Sequence, residues 1–450
     1  MTKTRRIGLF WLLLCCGFSA LWGTFLNQSS PNGVLDFKGI YYDAKCLLQH
    51  DDPYKVGEPL RVYLAQEGKL PQSADGLRRV LEVDVYPPAT SIFIAPFAML
   101  PFGFARFLWT IVTAASLILA SFLMWDFAVD FAPVASGCLI CFVLVNSEIL
   151  FGTGNTAGIV VSLCIVAVWC FLEEKFVWTG ILCLAVSLAI KPHDAGLVWL
   201  YFLLAGGAYR KRALQTLLVT AVLTVLALLW ITPIAPHWMQ ELDSNLQAAS
   251  SPSGLSNPAF ASVTGRTAGM VIDLQSAIIV FRDDPRFYNP VSYLVCGALL
   301  LVWSVRTLRS RFSLANAWFA LAAVVPFAML VTYHRPYDAK LLLLAVPACA
   351  MLWAEGGPIR WLALLVTSAG IASTSDIPLV ILLILTKNLH IPTAGLSGQI
   401  LTVVLMRPTP LILLVMGIFY LCVYLRRDPV RVATAESGEP GETPLAPLSA

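Results

Sequence analysis

The side chains best suited to chemistry are a few charged groups at the ends of apolar stretches, and the first of them is Asp36. It opens the segment 35–48, directly after the first long apolar stretch, and apolar residues recur in this segment at helical spacing. A helix with one apolar and one polar face is typical of a segment lying along a membrane surface. That position would place the Asp36 carboxylate between lipid and water. The simpler interpretation is an N-cap, a common role of aspartate. Asp43, seven residues later, shares this face and is the reserve candidate.

Lys191 is a cation at the end of an apolar stretch, followed by Pro192 and His193. Lysine binds phosphate as a point charge, so Lys191 is a candidate clamp for an anionic head group, with His193 beside it. The alternative is a lysine that extends its ammonium group from a span end to the membrane surface.

The turn 333–340, Tyr-His-Arg-Pro-Tyr-Asp-Ala-Lys, is the densest polar cluster between two apolar stretches. Arg335 offers a planar fork for phosphate oxygens, and His334 titrates near neutral pH. Asp338 is a further candidate contact for a substrate. The alternative is an aromatic belt whose charges anchor two span ends. Four ionisable groups in eight residues favour a functional turn.

Two neutral side chains complete the set of candidates. Asn155 ends the turn 152–155, Gly-Thr-Gly-Asn, where it is able to hydrogen-bond a ligand, although a tight turn between spans explains the glycines. Tyr86 precedes Pro87 and Pro88, so a stiff segment would hold it over a lipid head group or a sugar, or simply at the interface. We predict no metal site and no cofactor, because the doublets 51–52 and 283–284 are explained by turn chemistry.

Composition places these residues in a membrane protein. Of 450 residues, 58% are hydrophobic and 13% are charged, and apolar stretches long enough to cross a bilayer recur along the chain. We predict an all-α polytopic integral membrane protein with roughly 11–13 transmembrane helices. The predicted spans lie near residues 7–26, 103–125, 132–150, 156–172, 176–190, 195–208, 213–232, 289–305, 314–332, 339–354, 360 onward and 400–425.

These spans define one transmembrane domain over residues 1–427. It carries two long polar loops, 27–87 and 233–288, the first of which contains amphipathic helices. Residues 428–450 are rich in Pro, Glu, Ser and Ala, which predicts a disordered tail. The net charge of +3 gives no sign of nucleic-acid binding.

Orientation follows from lysine and arginine in short loops. Alternating spans place all five basic clusters on the cytoplasmic side, together with both termini, and place the candidate residues on the outer side. The basic residues lie at positions 3–6, 210–212, 306–311, 360 and 426–427.

Several motifs in this order resemble glycosyltransferase family 87, membrane enzymes of the GT-C class. The motifs are Asp36-Phe37-x-x-x-Tyr41-Tyr42-x-Ala44, Asp52-Pro53-Tyr54, Tyr86-Pro87-Pro88, Gly154-Asn155, Lys191-Pro192 and Tyr337-Asp338. The resemblance implies a GT-C-like bundle that moves a sugar, usually mannose, from a polyprenyl-phosphate carrier to a lipid-linked or envelope glycan. Transfer would occur at the outer face of the cytoplasmic membrane. A family turn commonly reading Gly-Gln-x-Asn is Gly-Thr-Gly-Asn at 152–155 here, so the contribution of the glutamine is missing.

The resemblance also implies that Asp36 is the catalytic base, since it matches the acidic residue after the first span. A polyprenyl phosphate leaves without help from an acid, so one carboxylate suffices for an inverting single displacement without a metal. Charge building on the departing phosphate calls for fixed cations, which we assign to Lys191 and Arg335 with His334 in support. The predicted substrate contacts are Tyr41, Tyr86, Asn155, His193 and Asp338.

Two other classes of protein compete with this interpretation. A transporter or lipid flippase would place ionisable groups near the middle of the membrane, whereas the charges here cluster at predicted span ends. A non-catalytic envelope scaffold would not require Asp36 together with outer cations.

Overall fold

The structure, a computed structural model, describes residues 3–29, 33–70, 75–251, 271–378 and 395–427, with the isolated positions 254, 256–258, 380, 381 and 384. All regular elements in these residues are helices, and no strand occurs among them. The predicted all-α polytopic fold is therefore confirmed. The tail predicted as disordered, 428–450, lies outside the described residues.

The first half of the chain forms a series of helices joined mostly by short turns. They are α1 Lys3–Ser29, α2 Leu35–Leu48, α3 Glu58–Glu67, α4 Asp75–Glu82, α5 Pro88–Ala98, α6 Phe102–Ala128, α7 Pro133–Val145, α8 Glu148–Thr153, α9 Ala157–Leu172, α10 Val177–Ile190 and α11 Pro192–Ala205.

The second half continues in the same way, with one 3₁₀ segment. Its elements are α12 Gly207–Ile231, α13 Trp238–Ser250, α14 Gln275–Ile278, α15 Pro285–Arg309, α16 Leu314–Val331, the 3₁₀ helix Asp338–Ala345, α17 Val346–Glu355, α18 Gly357–Ser373, α19 Gly395–Met406 and α20 Pro408–Arg426.

Seven stretches of the described residues are long and apolar enough to cross a membrane, fewer than the roughly 11–13 predicted. They lie in α1, α6, α7 with α8, α12, α15, α16 and α20. Other predicted spans form shorter helices. For example, α9 has 16 residues and α10 has 14, which gives lengths of roughly 21–24 Å against a hydrocarbon core of about 30 Å. The stretch predicted as one span over 400–425 forms two helices, because Pro408 interrupts the helical hydrogen bonding and starts a new helix after Arg407.

The centre of the bundle is α16, which is buried along almost its whole length and packs against α20. Gly417 of α20 makes this close approach possible. A Cβ atom at Gly417 would lie 2.5 Å from the ring of Phe327 on α16, inside van der Waals contact. Small residues at helix contacts are a common feature of membrane bundles, because they let backbones approach.

The segment after the first span is the helix α2, but it does not lie open on a surface as its two-faced pattern predicts. The helices α3, α4 and α5 pack against it, and Phe37, Tyr41 and Tyr42 are fully buried. Phe37 stacks on Trp109 of α6 with ring centroids 4.9 Å apart. The pattern of polar and apolar residues in α2 does not show which of its faces the neighbouring helices cover. The predicted position of α2 on an open surface was therefore wrong.

Basic residues gather at the helix ends opposite to the candidate residues. Arg5 pairs with Asp130 at the start of α1, and Arg212 pairs with Glu174 between α9 and α10. Arg427 pairs with Glu355 at the end of α20. Asn155 and Lys191 lie at the other ends of α9 and α10, and Asp36 follows the other end of α1, so these two sets of charges lie at opposite ends of the three helices.

The contact at Gly417 gives a stability prediction. Gly417→Ala should lower the free energy of unfolding of the purified protein by about 1–3 kcal/mol, because the added methyl group meets the Phe327 ring in a packed interior. Gly297→Ala is the matched control, since a Cβ there meets open space. Thermal unfolding in detergent measures both, and equal melting temperatures for the two variants would contradict the packing account.

Candidate active site

The site is built around Asp36, which lies in the first turn of α2 and is partly accessible. The N-cap position belongs to Val34, whose backbone is left-handed with φ 55°, and no side chain caps this helix. The carboxylate of Asp36 accepts a hydrogen bond of 2.8 Å from the Asn155 side-chain amide instead. Asp36 is therefore held by a partner 119 positions away and is not a cap.

The turn that carries Asn155 is docked directly on the start of α2. The amide of Val34 donates to the carbonyl of Gly152 over 2.8 Å, and the Trp109 indole donates to the carbonyl of Gly154 over 2.8 Å. Gly154 has φ +66°, and a Cβ there would lie 2.7–2.8 Å from Val34 and Phe37. Only glycine fits this close and left-handed turn, which fixes Asn155 beside Asp36.

Lys191 lies at the break between α10 and α11, where Pro192 starts the second helix. Its ammonium group is 2.5 Å from Asp338 and 3.4 Å from Asp194, and 3.5 Å from the Asn155 side-chain oxygen. Burial lowers the pKa of Lys191, but the two carboxylates outweigh that effect and raise it above the usual range, so the group is charged. A polar chain thus runs from Asp36 through Asn155 and Lys191 to Asp338.

The turn after α16 supplies the other end of this chain. The Arg335 backbone amide donates to Asp338 over 2.8 Å, which fixes that carboxylate against Lys191. The Arg335 guanidinium donates to the hydroxyl of Tyr333 and is half-buried. Burial lowers its pKa, while Tyr333, Tyr337 and then Asp36 raise it, so Arg335 lies within electrostatic reach of Asp36.

A family model described as Glycosyltransferase family 87 matches residues 85–332, more than half of the chain. The chain belongs to glycosyltransferase family 87. Comparison with curated proteins and with solved structures gives no match. The predicted family is confirmed, and with it a membrane glycosyltransferase that uses a sugar donor and an acceptor.

The matched range contains Tyr86, Asn155, Lys191 and His193 of this family 87 protein but not Asp36. Tyr86 is half-buried at the start of that range, where its amide donates to Asp84 over 2.8 Å and Pro88 starts α5. Burial and then the charge of Asp36 raise the pKa of the Tyr86 hydroxyl, so it remains a hydrogen-bond donor beside the carboxylate.

Two of the predicted site residues, His193 and His334, lie against Asp194, which was not among the predicted site residues. His193 and His334 have ring centroids 4.9 Å apart, and both face Asp194 at the start of α11. His334 is 1% exposed, so it does not point toward an open phosphate site as predicted. The signal was in the sequence, because Asp194 directly follows His193 in the Lys-Pro-His-Asp run.

Two predicted residues are not brought to the cluster. Tyr41 is buried among aromatic rings and donates its hydroxyl hydrogen to the Leu100 carbonyl over 2.7 Å, which makes it a packing residue. Asp43 is also buried, and one of its oxygens has no hydrogen-bond partner. It lies beside Asp84, so the two carboxyl groups form a pair separate from Asp36.

A second buried polar group lies next to the site and was not predicted. Lys340, two residues after Asp338, donates to the Asn146 carbonyl and lies near Glu148 and Asp376. Asp376 accepts from the Ile149 amide over 2.8 Å. These side chains join the start of α8 to the chain after α18.

An apolar cavity of about 660 Å³ lies between α7, α17 and α18, away from the charged cluster. Trp353 and Phe131 line one end, and Phe142 and Ala372 line the other. The latter end lies one helical turn before Asn146 and Asp376, so the cavity leads toward the second polar group.

The Asp43–Asp84 pair predicts a pH-dependent stability. Burial raises the pKa of Asp84 from its ordinary 3.8 to about 7, although the Tyr86 amide opposes the shift. The folded protein therefore binds more protons than the unfolded chain in this window, and stability falls as the pH rises from 3.8 to about 7. Asp84→Asn should flatten that fall and raise the melting temperature at pH 8.

Asp75→Asn, an exposed position in α4, is the control and should keep the wild-type slope. Melting temperatures of the detergent-purified proteins between pH 4 and pH 8 measure the effect. A wild-type slope in Asp84→Asn would show that the carboxyl pair is not the source.

Proposed function

We propose that this protein transfers a sugar, with mannose the first candidate, from a polyprenyl-phosphate carrier to a lipid-linked or envelope glycan. The observation that supports the proposal is the meeting of Asp36, Asn155, Lys191 and Asp338 from four distant parts of the chain. A carboxylate and fixed cations in one partly accessible cluster are what a single displacement at a sugar requires.

In this mechanism Asp36 acts as general base toward the acceptor. Asn155 holds one oxygen of the carboxylate at 2.8 Å, and the other takes the proton of the acceptor hydroxyl. The acceptor oxygen forms a bond to the anomeric carbon while the bond from that carbon to the phosphate oxygen breaks. The phosphate leaves with the electron pair, and the sugar's configuration is inverted.

The developing charge on the phosphate requires a cation that a bound donor is able to reach. Lys191 is only 7% exposed and already lies against two carboxylates, so we assign it to holding the site together. Arg335 is half-buried at the edge of the cluster and is the candidate for the phosphate. The sequence prediction named both Lys191 and Arg335 as phosphate contacts, and this assignment keeps Arg335 in that role.

An apolar cavity supports the choice of carrier, and the basic helix ends support the side of the membrane on which the site lies. The apolar cavity between α7, α17 and α18 suits a polyprenyl chain, because it has few polar groups and leads toward the site end of the bundle. The basic residues at the opposite helix ends favour a cytoplasmic location for those ends. The site would then face away from the cytoplasm, with both termini inside.

The rival function is transport, and one observation favours it. Lys340, Glu148 and Asp376 form a buried ionisable group, a feature typical of ion or substrate pathways in membranes. Lys340 is however two residues from Asp338 in the same 3₁₀ helix, so this group also serves to position the turn of the site. The family favours transfer over transport.

Replacing the proposed base should abolish transfer. Asp36→Asn keeps an oxygen for the Asn155 amide but cannot accept a proton, so we expect a loss of about 10²–10⁴-fold in the transfer rate. The assay incubates membranes with radiolabelled polyprenyl-phosphate mannose and traces label into product. Asp43→Asn should remain active, as should the exposed Asp243→Asn. Near-normal transfer by Asp36→Asn with an unchanged melting temperature would refute the base assignment.

Replacing Arg335 should weaken donor binding. Arg335→Ala removes a charged hydrogen-bond donor, typically worth about 1.5–3 kcal/mol, so the donor KM should rise by roughly tenfold to a hundredfold. Arg282→Ala is the matched control, because Arg282 is exposed and also lies over an aromatic ring. An unchanged donor KM in Arg335→Ala would remove this arginine from the phosphate role.

A further inference from the structure

Three side chains with metal-ligating atoms converge beside the proposed catalytic cluster. His193 and Asp194 come from the first turn of α11, and His334 comes from the turn after α16. Their ligand atoms all lie within 4.8 Å of one another. His334 Nε2 is 3.2 Å from Asp194 Oδ1, and His193 Nε2 is 3.8 Å from the same oxygen.

The two innermost ligands are buried, and the atoms with which they face each other make no well-aligned hydrogen bond. Asp194 and His334 are each 1% exposed. Asp194 is approached by His334 Nε2 at 3.2 Å and by the Lys191 ammonium group at 3.4 Å, but neither contact is aligned as a hydrogen bond. Buried polar atoms in folded proteins nearly always have a well-aligned partner. The Asp194 oxygens and His334 Nε2 face one another, as the ligands of a bound cation would.

The far side of the His334 ring supports a metal as that species. Its Nδ1 atom lies 2.9 Å from the Thr332 carbonyl oxygen. A carbonyl oxygen can only accept a hydrogen bond, so Nδ1 must be the donor and carries the proton. In neutral imidazole the Nε2 lone pair then faces Asp194. Metal-ligating histidines are usually held in this way, with the second nitrogen donating to a carbonyl or carboxylate.

We propose that His193, Asp194 and His334 form a site for a divalent transition-metal ion, with Zn²⁺ the best fit. Imidazole nitrogen and carboxylate oxygen are its preferred ligands besides thiolate, at about 2.0–2.2 Å, which places tetrahedral ligands roughly 3.3 Å apart. The 3.2 Å separation already matches this distance, whereas the 3.8 Å separation and the third one, which is within 4.8 Å, would have to shorten when the ion binds. Three protein ligands leave a fourth position, and the 34% exposed His193 side chain marks the open side.

Such an ion would change the charge balance beside the donor phosphate. The carboxyl groups of Asp36, Asp194 and Asp338 share this cluster with two cations, Lys191 and Arg335. A divalent ion would add two positive charges, so an anionic donor would be attracted more strongly. The effect on sugar transfer rests on the proposed function, whereas metal binding itself does not.

Metal titration of the full-length protein in detergent tests the site. After removal of metal with EDTA and dialysis, Co²⁺ should bind with one equivalent and give visible d–d absorption, and Zn²⁺ should displace it. His334→Gln and His193→Gln should each weaken Co²⁺ binding by at least about tenfold. His237→Gln, an exposed histidine at the start of α13, should bind as the wild type does.

Melting temperatures of the metal-free variants separate a lost ligand from a lost fold. A wild-type affinity in both His334→Gln and His193→Gln overturns the proposal, as does failure of the wild type to bind Co²⁺. Thiolate charge-transfer bands that persist in both variants also overturn it, because they place the ion on the chain's cysteines. None of these readouts uses sugar transfer, so the outcome stands whether or not Asp36 proves to be the base.

Discussion

The buried ammonium group of Lys191, held between Asp338 and Asp194, is the interaction on which the arrangement of the site depends. It joins the break between α10 and α11 to a turn 147 positions later. A charge taken out of water is tolerated only where opposite charges and hydrogen bonds compensate it, and removal of one partner from such a pair is strongly destabilising. The ends of α10 and α16 must therefore meet in one geometry, and a ligand that reaches the cluster meets preorganised charges.

A second constraint fixes Asp36 relative to that pair. The turn 152–155 is docked on α2 through the Val34 amide and the Trp109 indole, and Gly154 leaves no room for a side chain. Val34 accepts a left-handed backbone there, which is unfavourable for a β-branched residue. Strain of this kind persists where the surrounding structure imposes it, and it is often found at functional sites. Here its consequence is the hydrogen bond between Asn155 and Asp36.

The fold class and most members of the site could be predicted from the sequence, for a physical reason. Polar side chains at the ends of apolar stretches are confined to the two surfaces of a membrane bundle, so Asp36, Lys191 and Asp338 were predicted on the same surface. In the structure Lys191 contacts Asp338 directly and is linked to Asp36 through Asn155. Predictions failed where they depended on which neighbouring helices pack over a residue. The pattern of α2 could not show that α3 packs on Tyr42 and α4 on Gly39, and the Tyr41 motif could not show a hydroxyl turned toward Leu100.

Asp194 and Lys340 were also missed. Both are buried, and each has a partner from a remote segment, His334 for Asp194 and Asn146 for Lys340. The Lys-Pro-His-Asp run shows that Asp194 adjoins His193, but no local pattern identifies Asn146, which is 194 positions from Lys340. The helix count differed because apolar length alone does not distinguish a spanning helix from a short one enclosed by its neighbours, as α9 is.

The cluster has two chemically distinct ends, and this asymmetry is what a displacement reaction needs. At one end Asp36 and Asn155 offer a hydrogen-bonded carboxylate, with the Tyr86 hydroxyl beside it. At the other end Asp194 and the two histidines offer ligands for a positive ion. Lys191 lies between them and is charged, so it separates the two groups of carboxyl side chains. Under the proposed mechanism, a sugar spanning the two ends would have the Asp36 carboxylate on the acceptor side and positive charge on the phosphate side, which is the polarity that an inverting transfer requires.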